Sequence, residues 1–292
     1  MTWHSSPDVP TFLAAAGDFL GRHPVEHTVL LTEAAYLTAR PDPTPFQRYG
    51  WWRAPDGEVA GAYVQAPRHP PILSPLPPAA IDSLPAELTN PSTNPDADPD
   101  ANADGDPDPD TGPGVPAIGV DGDQVDAVIS AWRRHTGTTL VERSRITLYR
   151  LERLTAPTPQ PGTARTALPA DRPVLVTWFE RMMAAFPDDP SDLAYVVDDP
   201  LDFGGITLWE VDGEPVAMAG RSRTVAGMTR LSAVYAPADA AHADAAFAAA
   251  CAAAARVARD VVVFAGATDG PVRARYHALG FRPVLDRVML GH

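Results

Sequence analysis

Leu231-Ser232-Ala233-Val234-Tyr235, stopped by Pro237, opens the stretch on which the reading of this chain turns, Thr229 to Pro283. The apolar run and the proline that ends it read as a strand. An alanine-rich segment follows from Asp239 to Arg259, uninterrupted by Gly or Pro and long enough for about five or six helical turns. Val261-Val262-Val263-Phe264 is a second apolar strand. The turn residues Gly266, Thr268, Asp269, Gly270 and Pro271 come next, then a short helix that carries Tyr276 and ends at Gly280, just before Phe281-Arg282-Pro283-Val284.

Strand, long helix, strand and a helix closed by Tyr276-His277-Ala278-Leu279-Gly280-Phe281 resemble the core of the GNAT acyltransferases, the acetyl-CoA-dependent N-acetyltransferases. Val234-Tyr235-Ala236-Pro237 is similar to the strand end of bacterial members. The resemblance implies that the splayed strand end at Val234, Tyr235 and Ala236 hydrogen-bonds the pantetheine arm of acetyl-CoA. It implies that the following helix N-terminus binds the diphosphate, as backbone N–H groups and the helix dipole allow. It also implies that Tyr276 protonates the leaving thiolate.

This chain departs from the family where the phosphates would sit. Against the loop pattern Arg/Gln-x-x-Gly-x-Gly/Ala, the register places Ala241, His242, Ala243, Asp244, Ala245 and Ala246. The leading cation is Ala241, the central glycine is Asp244, and Ala246 alone fits. Glycine lets backbone approach a phosphate closely; aspartate adds a side chain and a negative charge facing an anion. The Asn that usually stands seven residues before the tyrosine is Asp269. Each loss costs roughly 1–3 kcal/mol where a charged partner is left poorly satisfied.

The chain has 292 residues, enough for two domains, and is 45% apolar, enough for a sizeable core. A net charge of −14 argues against non-specific nucleic-acid binding. All side-chain ammonium and guanidinium charge is arginine; there is no lysine. The lone cysteine, Cys251, excludes an internal disulfide and fits a reducing, cytoplasmic setting, as a small apolar residue of the alanine-rich helix. The start, Met1-Thr2-Trp3-His4, reads as no signal peptide, and no apolar run reaches bilayer length, so no membrane partner is expected. The histidines are scattered without ligand spacing, so no metal is expected.

Working outward, Phe12 to Leu20 predicts a helix ending at Gly21; Glu26 to Leu31 predicts an extended segment leading into a helical piece over Thr32 to Leu37. Gln47 to Arg53 and Val59 to Gln65 predict a hairpin turned at Asp56-Gly57. Proline-dense Pro70 to Pro78, with Ile72 and Leu73, reads as an edge strand or extended segment, and Ala79 to Leu88 as a helix. Residues 89–116, built of Asp, Pro, Asn, Ala and Gly, read as a disordered insert. Within them Asp100 to Gly105 matches the first half of a calcium loop, but Thr111 stands at the closing glutamate and Pro107 and Pro109 interrupt it. Gln124 to His135 is amphipathic, Arg143 to Leu151 alternates as a strand, and Thr155 to Gly162 reads as the domain boundary. A helix over Ala170 to Phe186, a shorter one over Asp192 to Val197, and strands over Gly205 to Trp209 and Val216 to Arg221 complete the pattern.

Trp52-Arg53-Ala54-Pro55-Asp56-Gly57-Glu58-Val59-Ala60 echoes Trp209-Glu210-Val211-Asp212-Gly213-Glu214-Pro215-Val216-Ala217. Each is a tryptophan-ended strand, an Asp-Gly-Glu turn and a Val-Ala strand, which implies two related halves. The expected fold class is α/β: two GNAT-like halves, each a mixed central sheet flanked by helices, joined by a short linker. Residues 1–154 form a degenerate N-terminal half without a phosphate loop, and 163–292 form the acetyltransferase half.

For a general base, Glu210 at the hairpin strand end is the nominee beside a solvated-carboxylate reading; Glu180 has the same weakness, and a water chain is the alternative. His242 either donates to a phosphate or faces solvent. Asp239 caps its helix, and Asp244 also suits the helix dipole. Arg221, Arg223 and Arg230 pair either with ligand anions or with surface carboxylates. The expected activity is acetyl transfer from acetyl-CoA to a small-molecule or peptide amine. The alternative is a GNAT-fold binding module that has lost acetyl-CoA. Nothing in the sequence selects an oligomeric state.

Overall fold

The computed structural model describes residues 1–41, 47–67, 69–90, 117–186 and 189–292. The half calcium loop at Asp100 to Gly105 and the greater part of the acidic insert lie outside them. The chain divides into two compact units: Met1–Ile146 with Leu285–His292, and Thr147–Val284. The sequence placed the division at 155–162; the structure places it earlier, inside a strand, and gives the last eight residues to the first unit.

The first unit runs β1 (Thr2–Ser6), α1 (Val9–Arg22), α2 (Thr28–Ala39), β2 (Arg48–Arg53), β3 (Val59–Gln65), β4 (Ile72–Leu73), α3 (Pro78–Leu88), β5 (Ala117–Asp121) and α4 (Val125–Thr136). β1 to β4 pair antiparallel in order, β4 pairs β5 parallel, and Arg287–Gly291 pairs β5 antiparallel. α1 starts where Asp8 Oδ2 accepts from Thr11 N at 2.8 Å, and buries Phe12, Ala16 and Leu20 at helical spacing. The main core joins Trp52, Tyr63, Leu73, Leu84, Leu88, Ile118 and Trp132.

Two expectations fail here. Residues 28–31 are helical, not extended: Val29-Leu30-Leu31 is too short a run for periodicity to separate a buried helix from a strand. Ile72–Leu73 is an interior strand rather than an edge. The prolines flank the ladder instead of interrupting it, and Pro71 contributes its carbonyl to Gly119 N at 2.9 Å.

The second unit begins in β6 (Val141–Leu151), whose Thr147–Leu151 part belongs to it. It continues with β7 (Thr163–Thr166), α5 (Arg172–Met183), a π-helical turn (Ala194–Asp198), α6 (Asp199–Asp202), β8 (Ile206–Val211), β9 (Glu214–Arg221), β10 (Met228–Tyr235), α7 (Ala240–Ala254), β11 (Asp260–Gly266) and α8 (Gly270–Leu279). β12 (Phe281–Gly291) follows, with Phe281–Val284 in this unit. The strand order is β6-β11-β10-β9-β8-β7, with β7 to β10 antiparallel and β10–β11 parallel.

Helices cover both faces of this sheet. On one face Leu175, Trp178, Val197 and Leu201 pack on Ile206, Leu208 and Met218. On the other, α7 lays Ala246, Phe247, Ala250 and Cys251 over Ala217, Ala219, Leu231, Val261 and Val263. Small side chains on both sides let helix and sheet close tightly. Asp239 Oδ1 caps α7 through Ala241 N at 2.9 Å.

The echo between the halves is structural. Each hairpin is antiparallel, and each shifts register immediately after its tryptophan, between Trp52 and Arg53 and between Trp209 and Glu210. In each unit two helical segments precede the hairpin, and a strand, helix, strand and helix follow it.

α8 ends at Gly280, whose φ of +100° is left-handed and whose missing Cβ would collide with the Arg153 carbonyl oxygen. We expect Gly280→Ala to lower stability by about 3 kcal/mol, from strain and clash together, read as a fall in the urea midpoint. A change below about 0.5 kcal/mol would contradict this reading of the cap.

Candidate active site

β10 and β11 pair from Met228↔Asp260 to Leu231↔Val263 and no further, although β10 runs on to Tyr235 and β11 to Gly266. Past that point the two parallel strands part. Ala233 has a φ of +50°, and the pairing of β10 with β9 slips between Ser232 and Tyr235. This bulge bends the strand end where its pairing with β11 has stopped. A cleft of about 820 Å³ opens there, lined by Val234, Tyr235, Ala236, Phe247, Phe264 and Tyr276 among others. Its volume is in the range of ligand sites.

Tyr276 reaches the cleft from α8. Its ring stacks on Phe247 at 5.2 Å, lies 5.7 Å from Phe281 and meets Tyr149 edge-on at 5.8 Å. The residue is 7% exposed, and burial pushes its hydroxyl up to about 12, with Arg275 pulling partly back. The phenol is therefore protonated throughout the neutral range, which is the state a proton donor needs.

The other end of the cleft is lined by Met182, Met183 and Phe186 at the end of α5, together with Asp189, Tyr195 and Arg230. Arg230 donates to the Tyr195 hydroxyl. Of the three arginines singled out by sequence, it alone lines the cleft. Arg223 pairs with buried Asp199 at 2.7 Å, and Arg221 lies over the Phe203 ring at 5.2 Å.

Glu210 is not among the residues of the cleft. Arg165 Nε donates to its Oε1 at 2.6 Å, and the same guanidinium grips Asp171 at 2.6 and 2.8 Å. The Glu210 carboxylate is engaged by Arg165 at the β7–β8 edge, outside the cleft, and the sequence nomination is corrected: it missed Arg165, whose strand pairs with that of Glu210 two residues out of register. Glu180 is exposed on α5 and also lies outside the cleft. Cys251 is fully buried in α7, and burial pushes its thiol up, so it is no nucleophile.

The residues aligned with the phosphate loop lie within the first turns of α7 and separate in space. Ala243 lines the large cleft. Ala241, Asp244 and Ala245 line a second cleft of about 400 Å³, closed on its far side by Ala156, Pro157, Thr158 and Gln160. Ala246 is buried in the core, and His242 lines neither cleft. Asp269 caps α8, its Oδ1 accepting from Val272 N at 3.0 Å, and lines neither cleft. Arg275 Nε stands 2.9 Å from Asp244 Oδ1, close enough for an ion pair but not aligned as a hydrogen bond. Burial raises the Asp244 carboxyl above its usual range, with Arg275 opposing the shift and Asp239 adding to it.

In the first unit, β4 shares the rung Ile72↔Gly119 with β5 and ends one residue later, at Leu73. There the side-chain amide of Gln124 fills the role of a strand: Nε2 donates to Leu76 O at 2.6 Å, and Leu76 N donates to Gln124 Oε1 at 2.9 Å. The first unit thus satisfies its own strand end.

No family model matches the sequence, and no curated protein matches it. The structure is similar to the GCN5-related N-acetyltransferase of Sphaerobacter thermophilus, with a TM-score of 0.62 and 16% identity over 99% of this chain and 94% of that one. It is also similar to a GNAT-family acetyltransferase of Colwellia psychrerythraea, with a TM-score of 0.54 and 10% identity over 100% and 99%. The chain therefore has the GNAT fold, with both halves inside the matched length. No helix among the described residues is long and apolar enough to cross a membrane.

Tyr276 yields a spectroscopic prediction. In a pH jump followed by phenolate absorbance, Tyr276→Phe removes an ionisation with a midpoint near 12. Because the folded value is raised, its contribution to stability is intact below about pH 10 and is lost as pH climbs toward 12. A midpoint near 10 would show the phenol to be solvated.

Proposed function

We propose that the second unit transfers an acetyl group from acetyl-CoA to an amine. The observation that carries this reading is the parting of β10 from β11 beside a protonated, buried-ring tyrosine that lines the same cleft. When bound, acetyl-CoA supplies the acyl group as an activated thioester.

The chain contributes three things. Backbone groups of Val234 to Ala236, freed from β11, hold the donor arm as an added strand would and aim N–H donors at the thioester carbonyl. The aromatic walls, Phe247 and Phe264, exclude water from the reacting carbon. Tyr276 gives its proton to the sulfur as the amine nitrogen bonds to the carbonyl carbon and the C–S bond breaks; the proton shed by the amine passes through water and restores the Tyr276 phenol. No enzyme-bound acyl intermediate is required, and no carboxylate is assigned as base. The acceptor enters from the Met182, Phe186 and Arg230 end, and the setting is intracellular.

A second reading has an observation of its own. Asp239 and Asp244 put two carboxylates where the family places anion-binding groups, and Ala241 puts no cation there. On that reading the unit is a GNAT-fold binding module that has lost its donor. Calorimetry with acetyl-CoA separates the two: the transferase gives a saturable heat, and the module gives neither heat nor a thermal shift at millimolar ligand.

For the catalytic step, Tyr276→Phe is expected to slow thiol release by about a hundredfold in the presence of an accepted amine, with acetyl-CoA affinity changed by less than about twofold. An unchanged rate would remove Tyr276 from the mechanism.

A further inference from the structure

The two clefts of the second unit share one residue among those that line them, Arg275. Its neighbours on α8 divide between the clefts. Val272 and Tyr276 face the large one; Ala278 and Leu279 face the small one. Beside it on α7, Ala240 and Ala243 face the large cleft, and Ala241, Asp244 and Ala245 face the small one. A long ligand with its thioester arm against Tyr276 and its far end in the small cleft must pass Arg275 at its middle. The described residues that line the small cleft include one cation, Arg275, and one anion, Asp244. Both side chains are about one-third exposed, at 33% and 35%, although the Asp244 Oδ1 that meets Arg275 is itself buried.

We propose that Arg275 is the cation that selects a donor carrying a diphosphate in the middle of its length. It replaces from α8 the loop cation that Ala241 lacks, and Asp244 is its resting counter-ion, displaced when the donor binds. This rests on the acyl-CoA reading above. An arginine fork is suited to bridging two phosphate oxygens, whereas the carboxylate it leaves meets it at one oxygen without hydrogen-bond alignment. Asp244 thus lowers donor affinity by holding Arg275 and by standing near the incoming charge. That gives the aspartate at the glycine position a definite role: it makes the site discriminate strongly by phosphate charge and bind weakly overall.

The test compares two donors, acetyl-CoA and acetyl-pantetheine, which lacks every phosphate. Calorimetric affinities are measured for wild type, Arg275→Met, Arg275→Lys and Asp244→Asn, each checked for an unchanged circular dichroism spectrum. Arg275→Met is expected to weaken acetyl-CoA about tenfold and leave acetyl-pantetheine within about twofold. Arg275→Lys, which keeps the charge, retains most of the preference and serves if the methionine variant does not fold. Asp244→Asn is expected to tighten acetyl-CoA by roughly three- to tenfold and not acetyl-pantetheine.

Equal effects on both donors would make the pair structural and overturn the assignment. Wild-type binding of acetyl-pantetheine without acetyl-CoA would also overturn it, while leaving the thioester reading intact. Binding of neither would sink that reading and this inference with it.

Discussion

A strand that loses its neighbour must find other partners for its backbone, and the end of β10 is such a strand. Leu231↔Val263 is the last rung it shares with β11, yet it continues for four more residues. The bulge at Ala233 turns those residues, α7 supplies small side chains that let the sheet sit close beneath it, and α8 presents Tyr276 across the gap. The first unit meets the same constraint differently. Gln124 donates and accepts at Leu76, a pairing supplied from within the unit. The cleft beside the parted strands of the second unit and the Gln124–Leu76 pair of the first are the contrast on which the proposal of chemistry in the second unit rests.

The electrostatics of the open half are balanced rather than favourable. Asp239 takes a donor at the start of α7, and Asp244 engages Arg275. On the proposed reading an incoming phosphate competes with these carboxylates instead of entering a vacant cradle. On the proposed reading a donor still binds through its uncharged arm, held by the backbone of the strand end and the aromatic walls. The cost falls on affinity more than on the chemical step.

Much of this was legible in the residues. β10, α7, β11 and α8 could be read because every local signal agreed: Pro237 after the strand, Asp239 before an unbroken alanine run, and Gly280 where a left-handed residue was required. The repeated hairpin was visible as Trp, Asp-Gly-Glu and Val-Ala, and the register shift after each tryptophan is its structural counterpart. What failed was non-local. Whether Val29-Leu30-Leu31 is helix or strand is decided by packing. Ile72–Leu73 lies inside its sheet because β5 arrives from beyond a long insert. Glu210 looked available because Arg165 is distant in sequence, and Arg275 went unnoticed because its partner Asp244 lies on a different helix. The return of residues 285–292 to the first unit had no local mark at all.

Everything proposed for the second unit turns on the donor arm docking at the backbone released between β10 and β11. Amide hydrogen exchange of the intact protein tests this residue by residue, with and without saturating acetyl-CoA. Slowed exchange is expected to concentrate at Val234 to Ala236, with Gln124 and Leu76 in the first unit unchanged. Exchange at Val234 to Ala236 that stays the same under conditions where acetyl-CoA demonstrably binds would contradict it.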